Sequence, residues 1–153
     1  MEDIHIYTDG SALGNPGPGG YGVVMISFKH QKMLELSAGY QLTTNNRMEL
    51  LAVIVALERI KDPSLSVKVF TDSRYVSDAV NKKWLQGWVR KNWKNVKNQD
   101  LWLRFLTAYQ RVPATFQWVK GHTNVKWNNR CDKLAVAAAQ SKNLLPDTGY
   151  LKQ

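Results

Sequence analysis

A chain of 153 residues, 44% of them hydrophobic, has the length of a single domain and enough apolar material to bury one core. Its 21 Lys and Arg against 12 Asp and Glu give a formal charge of +9, which favours nucleic acid or another polyanion as partner. No apolar run of about 18 residues is present, so no membrane-spanning helix is expected, and the single cysteine, Cys131, excludes an internal disulfide and fits a reducing cytoplasm.

The N-terminal Met-Glu-Asp-Ile-His has neither the basic start nor the apolar run of a signal peptide, which supports a cytoplasmic location. Ile4, Ile6 and Thr8 then alternate with His5, Tyr7 and Asp9, the pattern of a strand over 3–9. Gly14-Asn15-Pro16-Gly17-Pro18-Gly19-Gly20 predicts a turn. Residues 21–28 and 33–40 follow as strands around the polar turn Lys29-His30-Gln31-Lys32, making an antiparallel meander over 3–41. A helix is predicted over 46–61. Its unbroken apolar stretch from Leu50 to Leu57 implies burial on most faces, and Asp62-Pro63-Ser64 ends it.

Residues 67–71 are a short strand, 75–80 a helix, and a Trp- and Lys-rich segment follows. A helix over 100–109 is broken by Pro113. The last strand spans 115–119, and an Ala-rich helix spans 129–140. Strands followed by alternating helices and strands predict an α/β fold. The expected sheet is five-stranded and mixed, with the first three strands antiparallel, the first, fourth and fifth parallel, and helices on both faces. The domain is expected over 1–142, with 143–153, carrying Pro146 and Gly149, as a loose tail.

Four carboxylates stand at the edges of apolar runs: Asp9, Glu49, Asp72 and Asp132. Asp9 and Asp72 each end a strand in Thr-Asp, and the carboxyl ends of parallel strands open onto the crevice where α/β sheets bind ligands. On neighbouring strands roughly 4.8 Å apart, two aspartates could hold divalent metals roughly 4 Å apart. Each acid also has a structural reading. Asp9-Gly10 is a common turn pair, and Asp72 suits a helix N-cap. Asn46 and Glu49 have the offset of a capping box, while Asp132 would favour the dipole of its helix. His122 sits in a loop past the last strand. Gathering four carboxylates unpaired would be electrostatically unfavourable, so metal ions are expected to neutralise them.

The stretches Tyr-Thr-Asp-Gly-Ser (7–11), Gly-Asn-Pro-Gly-Pro-Gly-Gly (14–20), Thr-Thr-Asn-Asn-Arg-Met-Glu-Leu (43–50), Thr-Asp-Ser-Arg-Tyr-Val (71–76), Trp-Val-Lys-Gly-His (118–122) and Asn-Asn-Arg-Cys-Asp (128–132) run in one order over about residues 4 to 140. Together they resemble type 1 ribonuclease H of the free-standing bacterial kind. The resemblance implies a ribonuclease H-like fold and an endonuclease that cuts the RNA strand of an RNA/DNA hybrid. Its products would carry 5′-phosphate and 3′-hydroxyl ends, and its cofactors would be two Mg²⁺ ions, with Mn²⁺ as an alternative. Asp9, Glu49, Asp72 and Asp132 match the family's metal-binding acids, and His122 matches its mobile-loop histidine.

Asn15, Asn45 and Asn46 match minor-groove contacts, and Thr44 and Asn98 match a DNA-phosphate pocket. Gly10, Ser11 and Ser73 flank the acids and are expected to bind substrate with them. Lys82, Lys83, Arg90, Lys91, Lys94 and Lys97 form a basic stretch without an acid, interleaved with Trp84, Trp88 and Trp93. By the resemblance, Trp84 and Lys91 grip the DNA strand, while core packing is the alternative for Trp88 and Trp93. Asn129, Lys126, Trp127 and Arg74 depart from the usual pattern and make the rim more basic. A DNA-cutting nuclease on the same fold and a non-catalytic hybrid-binding module are competing readings. No dimer-forming element is seen, so a monomer is expected.

Overall fold

The computed structural model describes residues 1–121 and 126–153. Three long antiparallel strands open the chain: β1 (Ile4–Ala12), β2 (Gly17–Ser27) and β3 (Lys32–Thr43). After them come α1 (Asn45–Arg59), β4 (Val67–Thr71), α2 (Arg74–Asn81), α3 (Trp84–Arg90), α4 (Gln99–Arg111), β5 (Thr115–Trp118), α5 (Lys126–Ala139) and the short α6 (Thr148–Leu151). The sheet order is β3-β2-β1-β4-β5, with β1, β4 and β5 parallel. This is the mixed sheet that the strand and helix order predicts. No described helix is long and apolar enough to cross a membrane.

The strands run further than alternation alone suggests. β1 continues through Gly10, Ser11 and Ala12 because these pair with Tyr21, Gly20 and Gly19, so β2 starts inside the glycine cluster. The ladder satisfies backbone groups that a turn would have left to solvent. α1 packs on one face of the sheet. Its Leu50, Val53, Ile54 and Leu57 are buried with Ile4, Ile6, Val67 and Val69, and Trp102 and Phe105 of α4 close the same core. α5 packs on the other face. A Cβ at Gly22 would lie 2.3 Å from the Cys131 carbonyl oxygen and one at Gly20 2.5 Å from that of Ala135, so only glycine lets this helix approach.

The segment after α5, expected as a loose tail, is tied down instead. Leu145 bridges Tyr40 beside the edge strand β3. Asp147 then accepts from Thr43 Oγ1 at 2.7 Å and from Arg47 Nε at 2.8 Å. Arg47 is the reason. Its guanidinium is 1% exposed and needs carboxylates, and Asp147 supplies one while Asp100 supplies the other at 2.7 Å. Burial alone would lower the Arg47 pKa, but the bonds to Asp100 and Asp147 more than reverse that.

Candidate active site

The parallel pairing of Thr8 with Thr71 sets β1 and β4 in register, so that Asp9 and Asp72 leave the two strands side by side. Glu49 comes to them from α1. A Cβ at Gly10 would lie 2.3 Å from the Glu49 backbone nitrogen, so the strand and the first turn of the helix touch through a glycine. Oxygens of Asp9, Glu49 and Asp72 lie within 4.8 Å of one another. Asp132 comes from α5 on the opposite face and lines the same cleft, which has a volume of about 520 Å³. Gly10, Ser11, Asn45, Asn46 and Ser73 also line it.

The structural readings of two of these acids are displaced. Thr44, not Asn46, caps α1: its Oγ1 accepts from the Arg47 N–H at 3.3 Å. Ser73, not Asp72, caps α2, accepting from the Val76 N–H at 3.2 Å. Both caps leave the neighbouring acid for the cleft. Asp132 lies well inside α5, which begins at Lys126, and the helix dipole weakens beyond the first turn.

Electrostatically the cluster is uncomfortable without a cation. Burial pushes the Asp9 carboxyl up to about 7, the charges of Asp72 and Asp132 add to this, and bonds from Glu49 and the Gly10 N–H oppose it. Glu49 is raised well above the ordinary range, first by burial and then by the Asp9 charge. The two acids share a hydrogen bond, so without a metal the pair retains a proton. Glu49 Oε2 is buried with no hydrogen-bond partner. An orphaned carboxylate oxygen among converging acids, with no sulfur or imidazole among the described ligands, fits a hard divalent cation such as Mg²⁺ or Mn²⁺.

The remaining expected residues fall into two groups. Asn15 Oδ1 accepts from the Asn45 N–H at 3.0 Å, and Asn45 Oδ1 from the Ala12 N–H at 2.7 Å. These bonds tie the glycine loop to α1 and leave the amide N–H groups as donors. Asn15, Thr44, Asn46, Lys97 and Asn98 line a second cleft beside the first. Asn98 is itself buried: its Oδ1 accepts from Arg47 Nη1 at 3.2 Å and its Nδ2 donates to Tyr75 Oη at 3.0 Å. Trp84 is 43% exposed on α3 with Lys82 Nζ 5.7 Å from its ring centroid, and Lys91 is exposed. Trp93 is buried and Trp88 packs against Trp102 at 5.1 Å, as the core reading has it. His122 lies outside the described residues.

Sequence reasoning missed several residues. Tyr150 and Gln153 of the docked segment line the second cleft, and Gln153 Oε1 accepts from the Asn98 N–H at 2.8 Å. Tyr75 Oη accepts from both Asn98 and Trp102, which fixes the floor between the clefts. Asn128 lines the acidic cleft; its four-residue offset from Asp132 places the two on one helix face, which was the available signal.

Known proteins show which family the chain resembles. The RNase H family model matches residues 1–140. The ribonuclease H of Trichodesmium erythraeum is 51% identical over 153 residues, which is 97% of this chain and 96% of that protein. That of Shewanella denitrificans is 50% identical over 154 residues, 97% and 94% of the two chains. Among solved structures, LC9-RNase H1, described as a type 1 RNase H with the type 2 active-site motif, superposes with a TM-score of 0.81 at 30% identity, covering 99% of this chain and 80% of that one. LC11-RNase H1, solved in complex with an RNA/DNA hybrid, gives 0.66 at 32% identity over 89% and 96% of the two chains. A family match over most of the chain, relatives at half identity and four acids brought to one cleft together place this chain in the ribonuclease H family.

Proposed function

We propose that this chain is a monomeric endonuclease that hydrolyses the RNA strand of RNA/DNA hybrids, leaving 5′-phosphate and 3′-hydroxyl ends, and that it works with two bound Mg²⁺ ions. The observation that carries the reading is the convergence of Asp9, Glu49 and Asp72 within 4.8 Å around an unpartnered Glu49 oxygen. Asp9, Glu49, Asp72 and Asp132 would hold the ions. Bound there, such ions supply Lewis-acid charge at the scissile phosphate and a lowered pKa for water.

The chain's own groups do the rest. The neighbouring second cleft, with Thr44, Asn46 and Lys97, offers hydroxyl, amide and ammonium donors to a phosphodiester further along the duplex. The amides of Asn45 and Asn46 are short and line the acidic cleft, with Asn15 in the second cleft next to it, an arrangement suited to a wide minor groove where 2′-hydroxyls mark the RNA strand. His122 is assigned to proton transfer or product release on the family resemblance. A structure of LC11-RNase H1 with an RNA/DNA hybrid supports the substrate class.

The test is cleavage of a short end-labelled RNA/DNA hybrid in Mg²⁺, beside RNA/RNA, DNA/DNA and single-stranded controls. Cuts are expected only in the RNA of the hybrid, and Asp9→Asn should lower the rate by at least about 10³-fold while hybrid binding survives. Cleavage of DNA instead would sink the reading in favour of another nuclease activity. Binding of the hybrid without cleavage in either Mg²⁺ or Mn²⁺ would leave a binding module.

A further inference from the structure

Among the described residues, Asn128 is the one whose side-chain nitrogen and oxygen are both buried without any hydrogen-bond partner. An unpaired buried amide is costly, and folded proteins keep few of them. This one lines the acidic cleft one helical turn before Asp132. Ionised, the acids there only accept hydrogen bonds, and so does a phosphodiester, so the cleft needs donors to bring the two together. The nearby polar groups are partly committed. Asn45 Oδ1 holds the Ala12 N–H at 2.7 Å, and the Arg74 guanidinium lies 3.9 Å from the Trp118 ring centroid. The Asn128 amide is desolvated in advance and unspent.

We propose that Asn128 is a catalytic residue that touches the substrate, its Nδ2 donating to a non-bridging oxygen of the RNA phosphodiester at the cleavage position. Turned toward the cleft by rotation about its side-chain bonds, the amide would meet the phosphate without shedding water, because the fold has already incurred that desolvation. The inference rests on the proposed function above.

Asn128→Leu keeps the volume and removes the amide. Asn129→Leu, at an exposed position of the same helix, controls for helix propensity in the melting measurement. Without divalent ions, Asn128→Leu is expected to melt higher than Asn129→Leu by about 2–6 °C, because an unpaired buried amide is gone. Its single-turnover cleavage of the hybrid should fall by about 10²-fold relative to the unsubstituted protein. Asn128→Ser, smaller and still a donor, should fold in any case and recover part of that rate. A Leu variant that melts no higher than its control, a rate within about twofold of the unsubstituted protein, or a Ser variant no faster than Leu would overturn the proposal. If the unsubstituted protein does not cut the hybrid, the substrate reading fails on its own, and the melting comparison still decides whether the amide is unspent.

Discussion

Asp9 carries the largest consequence of any single side chain. Its folded pKa of about 7 stands above the unfolded value of 3.8, burial being the main cause. A carboxyl raised in this way adds stability that is complete below its unfolded pKa and is lost as pH rises through the folded one. The metal-free protein is therefore expected to weaken between about pH 4 and pH 8 through this group. Asp9→Asn removes the charge but keeps the shape. It should raise the unfolding free energy in EDTA by about 1–3 kcal/mol near pH 8 and change it little near pH 4. Urea denaturation at the two pH values checks this, and an equal gain at both would contradict the assignment of burial as the cause. Added Mg²⁺ should stabilise the unsubstituted protein most at the higher pH, where protons compete least for the acids.

Secondary-structure elements were legible where a local pattern carried them. Alternation in β1 and the apolar run in α1 placed both, and the Thr-Asp endings put two acids at one edge of the sheet. Their register was open, because it depends on pairing across 63 residues, from Thr8 to Thr71. The cap of α1 was misplaced, since Thr44, Asn45 and Asn46 are all good capping residues and only the backbone path chooses among them. The C-terminal segment was misjudged for a different reason. Pro146 and Gly149 suggest looseness locally, while the interaction that orders the segment is with Arg47, 100 residues away. That interaction sets the next prediction. Asp147 faces a buried guanidinium with a side chain 10% exposed, whereas Asp100 is 43% exposed. Removing the buried partner leaves charge uncompensated, so Asp147→Ala should cost about 3–5 kcal/mol. Asp100→Ala, where water can replace the carboxylate, should cost about 1 kcal/mol. Chemical denaturation of the two variants orders them, and equal losses would mean that the segment is held by its other contacts.

At the scale of the whole molecule, Asp9, Glu49, Asp72 and Asp132 line one cleft, and an exposed basic stretch lies within 82–97. Within 82–97 there are six Lys and Arg and no acid. Lys97 lines the second cleft with Asn46, which also lines the first, so positive charge continues from the acidic site toward α3. A duplex laid from one cleft to the other would pass its backbone along this stretch. Lys29 and Lys32 sit at the β2–β3 turn, where Ser27 pairs with Ile4 at the other end of β1 from Asp9. Each lysine that neutralises a phosphate contributes about 0.7–0.9 to the slope of log affinity against log salt. Replacing Lys91 and Lys94 with Ala should therefore flatten the slope for hybrid binding by about 1.5, and Trp84→Ala should weaken binding with the slope unchanged. The same pair of changes at Lys29 and Lys32 should leave the slope as it was. Affinities titrated by fluorescence anisotropy over a range of salt decide the matter: equal flattening by both lysine pairs would make the attraction a property of net charge, and no flattening by either would take α3 and its flank out of the interface.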